Sequence, residues 1–241
     1  MNANHVQMVG SLRRTRPEGP RRDVVVPGSP IYITWDQVID GRHDILGAAA
    51  QAVNDLQAYS PQTLTVEFHG SSWTQGDWGS TSWYTQQCKR PNGQIDTRLL
   101  GDMYHNEPWQ DTPHIDLVLL SEDITFGTNN FVFGAAQGRV SIQSLYRFLQ
   151  YTKDQQLIDR MVHWVVAHEL GHLLGLVSEN ETNHVDLRQF PENLHGLYHG
   201  HCQNLCYMAQ VMSPMELHQR LEDLIGHPML CPDCQRILAR G

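Results

Sequence analysis

The chain lacks any long apolar run and any sign of a targeting segment. A membrane-spanning helix needs about 18 or more consecutive apolar residues, and no stretch of the 241 residues has that character. The amino terminus also lacks the basic stretch followed by an apolar one that a secretory signal requires. No internal repeat is visible. We therefore expect a cytoplasmic protein with no membrane partner.

Cysteine and charge are both scarce. The chain has five cysteines, 18% charged residues and a formal net charge of −9. This acidic balance disfavours nucleic acid as a partner. A hydrophobic fraction of 40% is enough for a chain of this length to bury a core without disulfides, and we expect reduced thiols. The composition leaves the oligomeric state open.

Basic residues concentrate near the amino terminus, interleaved with proline and glycine. They are Arg13, Arg14, Arg16, Arg21 and Arg22. We expect residues 1–29 to form a flexible, solvated segment rather than a binding arm. Residues 30–241 are expected to form a single domain.

The most informative pattern is the run from His168 to Gly175, which reads H-E-x-x-H-x-x-G. Two histidines four residues apart stand on one face of a helix, where both imidazoles can bind one tetrahedral zinc. Glu169 would project beside the metal and accept a proton from water. Gly175 supplies the backbone freedom needed to end the helix. The pattern indicates metal-assisted hydrolysis of an amide.

A third protein ligand is needed, and its position is not obvious. The polar stretch after Gly175 offers four candidates, His184, His195, His199 and His201. Position alone does not choose among them, because a long loop returns to the metal at modest entropic cost.

Four of the five cysteines form two pairs near the carboxyl terminus. Cys202 and Cys206 are followed about 24 residues later by Cys231 and Cys234, which form a C-x-x-C. Four thiolates brought together by two tight turns fit a structural zinc site. Two disulfides are the alternative, which is less common inside cells. Because Cys202 would be fixed on this zinc, its neighbour His201 would be held in place, and we favour His201 as the third ligand.

These motifs together resemble the archaemetzincins, a family of metzincin-clan zinc peptidases. The resemblance covers most of residues 30–241. It is carried by 168–175, His201-Cys202, Cys206-Tyr207-Met208 and the C-x-x-C. Upstream, 93–95 and 99–100 resemble the family's earlier helix, and 115–120, 131–136 and 139–142 resemble its strands before the active-site helix.

The resemblance implies a role for each matching residue. It implies His168, His172 and His201 as ligands of a catalytic zinc, Glu169 as general base and Met208 as the Met-turn residue. It implies a second, structural zinc on the four cysteines, which are Cys202, Cys206, Cys231 and Cys234.

The chain departs from the family pattern in its spacing. The family has two residues between the glycine and the third histidine, whereas this chain has 25, residues 176–200. We expect this insertion to bulge outward as a surface loop near the cleft. The segment from Met208 to Cys231 is also longer than usual, which leaves Met212 as an alternative Met-turn residue.

The combined evidence predicts a zinc metallopeptidase that acts on a peptide or protein substrate. It would bind two zinc ions per chain, one catalytic and one structural. The alternative is a non-catalytic protein in which both metals are structural.

The expected fold is α/β, a metzincin-like single domain. It would have a mixed, twisted sheet, an active-site helix and a zinc-bound carboxyl-terminal subdomain that includes residues 202–234. Alternating apolar patterns predict strands at 31–35, 63–68, 114–120, 131–136 and 139–144 and a helix at 43–59. Thr152 and Gln155 would cap the active-site helix. Ser213 would begin a later helix whose apolar face is Leu217, Leu221, Leu224 and Ile225, with Gly226 as its stop.

Two features have no assigned role. Trp73, Trp78 and Trp83 recur at intervals of five in a Gly/Ser-rich stretch. They would either wall a substrate cleft or pack on the core, and the size of tryptophan favours core packing. Cys88 is expected to be an inert thiol.

Overall fold

A computed structural model of the chain defines its architecture. It describes Val25 and residues 27–73, 79–127, 129–178, 181–192 and 199–240. The five arginines of the amino-terminal segment, His195 and Trp78 lie outside these residues, so the expected character of residues 1–29 stays a prediction.

Strands and helices alternate in the first half of the chain, and further strands and then helices follow. The strands are β1 (Ile31–Trp35), β2 (Val66–Gly70), β3 (Ile95–Asp96), β4 (Ile115–Leu120), β5 (Ile124–Thr125), β6 (Gly134–Gln137) and β7 (Val140–Ser144). The helices are α1 (His43–Gln57), α2 (Thr81–Gln87), α3 (Thr97–His105), α4 (Tyr146–Tyr151), α5 (Gln155–Leu173), α6 (Pro214–Asp223) and α7 (Pro232–Leu238), with 3-10 turns at Gln37–Ile39, Pro108–Asp111 and Leu187–Gln189.

The main sheet is mixed, as predicted. Its order is β2-β1-β4-β7-β6, with parallel neighbours except for the antiparallel pair β6 and β7. Every residue of β4 is buried, which is the pattern of a parallel strand covered on both faces. Strand β6 lies at the edge. The predicted α/β fold class is confirmed.

Two apolar layers cover the two faces of the sheet. Leu117 and Leu119 of β4 belong to the larger core, which includes α1 and α5. Val118 and Leu120 point to the opposite face, against α2 and α3. The alternation follows from the two-residue period of a strand. Within the described residues, no helix combines the length and the apolar character needed to cross a membrane.

The active-site helix is α5, buried along most of its length. Its N-cap is Asp154, whose carboxylate accepts hydrogen bonds from the amides of Gln156 and Leu157. The predicted cap at Thr152 is wrong, because the Thr152 hydroxyl instead accepts from the Asp154 amide. The helix ends as predicted before Gly175, which has a φ of 82°.

Other boundaries differ from the predictions in instructive ways. Strand β2 begins at Val66 rather than at residue 63, and β6 begins at Gly134 rather than at residue 131. Residues 93–95 lie before α3 rather than in it. Ser213 caps α6 as predicted. Ile225, however, is 64% exposed, because the helix ends at Asp223 and Ile225 lies beyond it.

Of the residues without an assigned role that the structure describes, Cys88 belongs to the smaller core, and Trp73 and Trp83 pack against it. Trp73 packs against Tyr84 and Trp109, with ring centroids 5.9 Å and 5.6 Å apart, so it packs on the core. Cys88 is buried beside Met103, and burial raises the pKa of its thiol to about 11. Both features agree with packing roles.

Candidate metal centres

His168 and His172 lie on one face of α5, one turn apart. Their Nε2 atoms are 3.2 Å apart. Two ligands of a tetrahedral zinc with bonds of about 2.0–2.1 Å stand about 3.3 Å apart. The spacing of the two imidazoles therefore fits one zinc ion between them.

His201 completes a cluster with these two residues. Its ring centroid lies 5.1 Å from that of His168 and 5.1 Å from that of His172. One ring nitrogen from each of the three histidines lies within 4.8 Å of the others. Among the described residues, this cluster contains three donors and no fourth, so a metal held there would keep an open position.

The other two described histidine candidates, His184 and His199, lie outside the cluster. The Nε2 atom of His184 accepts a hydrogen bond from the Gly200 amide at 2.9 Å, and its Nδ1 donates to the Val185 carbonyl at 2.7 Å. His199 is exposed, with its ring 5.5 Å from that of His184. His195 falls in a part of the chain that the structure does not describe.

The surroundings of His168 and His172 favour metal binding. Burial, followed by the neighbouring imidazole, lowers the pKa of each to about 3. Both are therefore neutral near pH 7, which is the form that coordinates zinc. The Nδ1 of His168 donates a hydrogen bond to the Tyr207 carbonyl at 2.7 Å. The unprotonated Nε2 is then the nitrogen that can bind zinc. Trp164 stacks on the same ring at 4.6 Å and fixes its plane.

Glu169 is buried next to the edge strand of the sheet. It is 7% exposed, and burial raises the pKa of its carboxyl group to about 8. A Cβ atom placed on Gly134 of β6 would stand 2.6 Å from Glu169 Oε1 and 2.7 Å from Cδ. The carboxyl group therefore occupies space that only a glycine at position 134 leaves open.

Met208 lies directly against the active-site helix. It is fully buried, and a Cβ atom on Gly171 would come closer than 3.0 Å to its sulfur. Met212 is 40% exposed and contacts the Gln210 side chain. Of the two Met-turn candidates, Met208 is the one that packs beneath the histidine pair.

The four cysteines of the two predicted pairs meet in a second cluster. All are buried and free, with Sγ atoms within 4.8 Å of one another. The Sγ atoms of Cys202 and Cys231 are 3.7 Å apart, too far for a disulfide. Sulfurs of a tetrahedral zinc with Zn–S bonds of about 2.3 Å stand about 3.8 Å apart. The donor set and its spacing fit a zinc ion.

Backbone and side-chain N–H groups point at these sulfurs. The amides of Met208 and Cys231 donate to Cys206 Sγ at 3.5 Å and 3.3 Å. Hydrogen bonding among the cysteines lowers the pKa of Cys202 well below its usual range and raises the pKa of Cys206 and Cys234. Cys202 is therefore the cysteine that ionises first to the thiolate, the form in which cysteine binds metal.

Asn183 contacts the cysteine cluster, which the sequence did not predict. It lies in the insertion and is 1% exposed. Its Nδ2 donates to Cys202 Sγ at 3.2 Å and to Cys234 Sγ at 3.1 Å. A single asparagine in a polar stretch carries no signal of its own in the sequence.

Comparisons with known proteins identify the fold. Neither a protein-family model nor a curated protein sequence matches the chain. Among solved structures, it is similar to archaemetzincin from Methanopyrus kandleri, with a TM-score of 0.60, 22% identity and coverage of 92% of this chain and 97% of that one. It is also similar to archaemetzincin from Archaeoglobus fulgidus in complex with malonate, with a TM-score of 0.54 and 22% identity over 86% of this chain and 99% of that one.

A third similar structure is a zinc-dependent peptidase from Methanocorpusculum labreanum (strain Z). It has a TM-score of 0.54 and 18% identity, and the match covers 86% of this chain and 99% of that one. The predicted resemblance to the archaemetzincins is confirmed at the level of the fold, and the match extends over nearly the whole length of each relative.

Proposed function

We propose that this protein is a zinc-dependent peptidase of the archaemetzincin type. The observation that carries the proposal is the three-histidine cluster, whose ring nitrogens lie within 4.8 Å of one another. Glu169 lies on the same helix as His168 and His172. The fold similarity supports it, since its named relatives are archaemetzincins and a zinc-dependent peptidase.

His168, His172 and His201 would hold the catalytic metal. When bound, zinc would polarise the scissile carbonyl and lower the pKa of a water molecule toward neutrality. The Tyr207 carbonyl and the Trp164 ring would keep the His168 imidazole in the coordinating tautomer and orientation. The protein thus supplies the donors and their alignment.

Glu169 would act as the general base and then as the general acid. Beside the positive charge of bound zinc, which would offset the raising of its pKa by burial, its carboxylate would accept a proton from the attacking water and deliver it to the leaving amine. The close fit against Gly134 limits where the carboxyl group can lie, and positioning of this kind is a large part of enzymatic rate enhancement.

Edge strand β6 would bind the substrate backbone. Within the described residues, β6 pairs with β7 on one side and with no strand on the other, and its residue Gly134 contacts the Glu169 carboxyl group. An extended peptide can add to such an edge through main-chain hydrogen bonds. A peptide held there would pass beside the proposed base.

A second zinc on Cys202, Cys206, Cys231 and Cys234 would be structural, giving two zinc ions per chain. It would anchor the segment that carries His201 and Met208. Met208 would support the histidine pair from below through its contact with Gly171.

The alternative function is a non-catalytic protein with two structural zinc ions. A structural zinc site is normally closed by four protein ligands, whereas the histidine cluster has three donors among the described residues. The open position favours the peptidase.

The test compares wild type with Glu169→Gln on a mixture of unrelated peptides, with zinc content measured in parallel. We expect the variant to keep its zinc and to lose about 100-fold to 10,000-fold in turnover, the usual contribution of a general base. Glu222→Gln is the matched control, since Glu222 pairs with Arg160 at the surface. Turnover of Glu169→Gln near that of wild type would assign the base elsewhere.

A further inference from the structure

The first part of the insertion folds back onto the His201-Cys202 dipeptide. The Val185 amide donates to the His201 carbonyl at 2.9 Å, and the Gln203 amide donates to the Asn183 carbonyl at 2.9 Å. His184 and Cys202 form an antiparallel bridge between them. The expectation that the insertion simply bulges outward is therefore wrong for residues 183–185.

Asn183 ties this short ladder to the cysteine cluster. Its buried amide donates to Cys202 and Cys234, which come from segments more than 30 residues apart in the chain. Hydrogen bonds from an N–H group to a thiolate are charge-assisted and stronger than neutral ones. One side chain of the insertion thus joins both halves of the four-cysteine set.

His184 ties the same ladder to the histidine cluster. Its Nε2 accepts from the amide of Gly200, the residue immediately before His201. Gly200 has a φ of 78°, and a Cβ atom added to it would contact the His172 ring at 3.6 Å. His184 therefore fixes the backbone that both leads into His201 and lies against His172.

We propose that Asn183 and His184 are positioning residues through which the insertion holds the His201-Cys202 dipeptide for both metals. The inference rests on the proposed function, since it assumes that zinc occupies the two clusters. Neither residue is a metal ligand. Asn183 acts on the four-cysteine site through N–H···S bonds, and His184 acts on the three-histidine site through the Gly200 amide. These contacts hold His201 in place although 25 residues separate it from Gly175.

The test uses cobalt(II) in place of zinc, because thiolate and imidazole sites then have distinct absorption bands. Metal release to a chelator is measured for each site in the full-length protein. We expect His184→Ala to release metal from the histidine site about 10-fold faster, the lower end of the effect of losing a supporting partner. The absorption of the fully loaded histidine site should match that of wild type, because the ligands are unchanged.

His184→Gln provides the rescue, since its side-chain oxygen can accept from the Gly200 amide. Retention in this variant should return to near the wild-type value. If His184→Ala does not fold, the glutamine variant alone carries the test. Metal release from the histidine site of His184→Gln that is about 10-fold faster than in wild type would contradict the proposal.

Asn183→Ala should act first on the other site. We expect release from the cysteine site to increase about 10-fold, with a smaller increase at the histidine site, because Cys202 is the neighbour of His201. The control is Arg188→Ala, which lies in the same insertion with a side chain that is 90% exposed and paired with Asp186. Its release rates should equal those of wild type.

Three further results would overturn the inference. Unchanged release in both His184→Ala and Asn183→Ala would show that the insertion does not support the sites. An altered cobalt spectrum in loaded His184→Ala would make His184 a ligand rather than a positioning residue. Metal release from Arg188→Ala that is as fast as from His184→Ala and Asn183→Ala would indicate that any change loosens the loop. Failure of wild type to bind metal would instead refute the proposed function.

Discussion

Replacing Gly134 with alanine should displace the proposed general base without touching a metal ligand. The new Cβ atom would come closer than 3.0 Å to Cγ, Cδ and Oε1 of Glu169, whereas ordinary contact begins at 3.4 Å, so the side chain must move by about 1 Å. A misplacement of about 1 Å in an active site costs on the order of 100-fold in rate. We therefore expect kcat to fall by roughly 100-fold with zinc content unchanged.

The strand itself should tolerate this change, since alanine is favoured over glycine in a strand by about 0.5–1 kcal/mol. Gly47→Ala is the matched control, because a Cβ atom there meets nothing within 4 Å and its kcat should not change. The assay combines steady-state hydrolysis of a peptide with elemental analysis of the same sample. A folded Gly134→Ala variant with kcat within about threefold of wild type would refute this reasoning.

The remaining predictions concern the supports of the two sites. Met208→Ala should lower the free energy of unfolding by about 2–5 kcal/mol because it empties a buried site, whereas Met212→Ala should change it by less than about 0.5 kcal/mol; equal effects in urea titrations would contradict the Met208 assignment. Gly171→Ala should lower the free energy of unfolding by about 1–3 kcal/mol, because the new methyl group overpacks against Met208. Its effect should be smaller in a Met208→Ala background, and additive effects of the two changes would exclude this clash. Replacing Cys231 and Cys234 together with serine should remove one zinc ion and expose the carboxyl-terminal tail to protease, and a variant that keeps all its zinc would contradict the four-cysteine site.

The histidine pair and the four cysteines were predictable because their chemistry is encoded locally. The spacing from His168 to His172 fixes one helical face whatever the rest of the chain does. Two cysteine pairs, each closed by a short turn, likewise favour a common metal site over two disulfides inside a cell. The structure brings the histidines together in one cluster and the cysteines in another, each with spacings that fit a zinc ion.

The course of the insertion was not predictable from sequence. Asn183 and His184 act through partners 16 or more residues away, and a polar stretch gives no period from which such pairing follows. The same limit explains why the sequence predicts the wrong helix cap, Thr152. Both Thr152 and Asp154 have cap-forming side chains, and only the backbone path shows which carboxylate or hydroxyl meets the first free amides.

The edges of elements were also decided by tertiary context. The apolar period of α6 extends to Ile225 in the sequence, but the helix ends before it and the side chain faces solvent. Trp73 had two interpretations from composition alone, and its contacts with Tyr84 and Trp109 identify it as part of the smaller core.

The most direct test of a zinc peptidase is the zinc content per chain in protein purified without added metal, for wild type and for the double variant His168→Ala, His172→Ala. We expect two zinc ions in wild type and one in the variant, because the four-cysteine cluster lies on other segments and keeps its metal. A variant that holds as much zinc as wild type would show that the histidine cluster binds none, and the proposal of a zinc peptidase would fail.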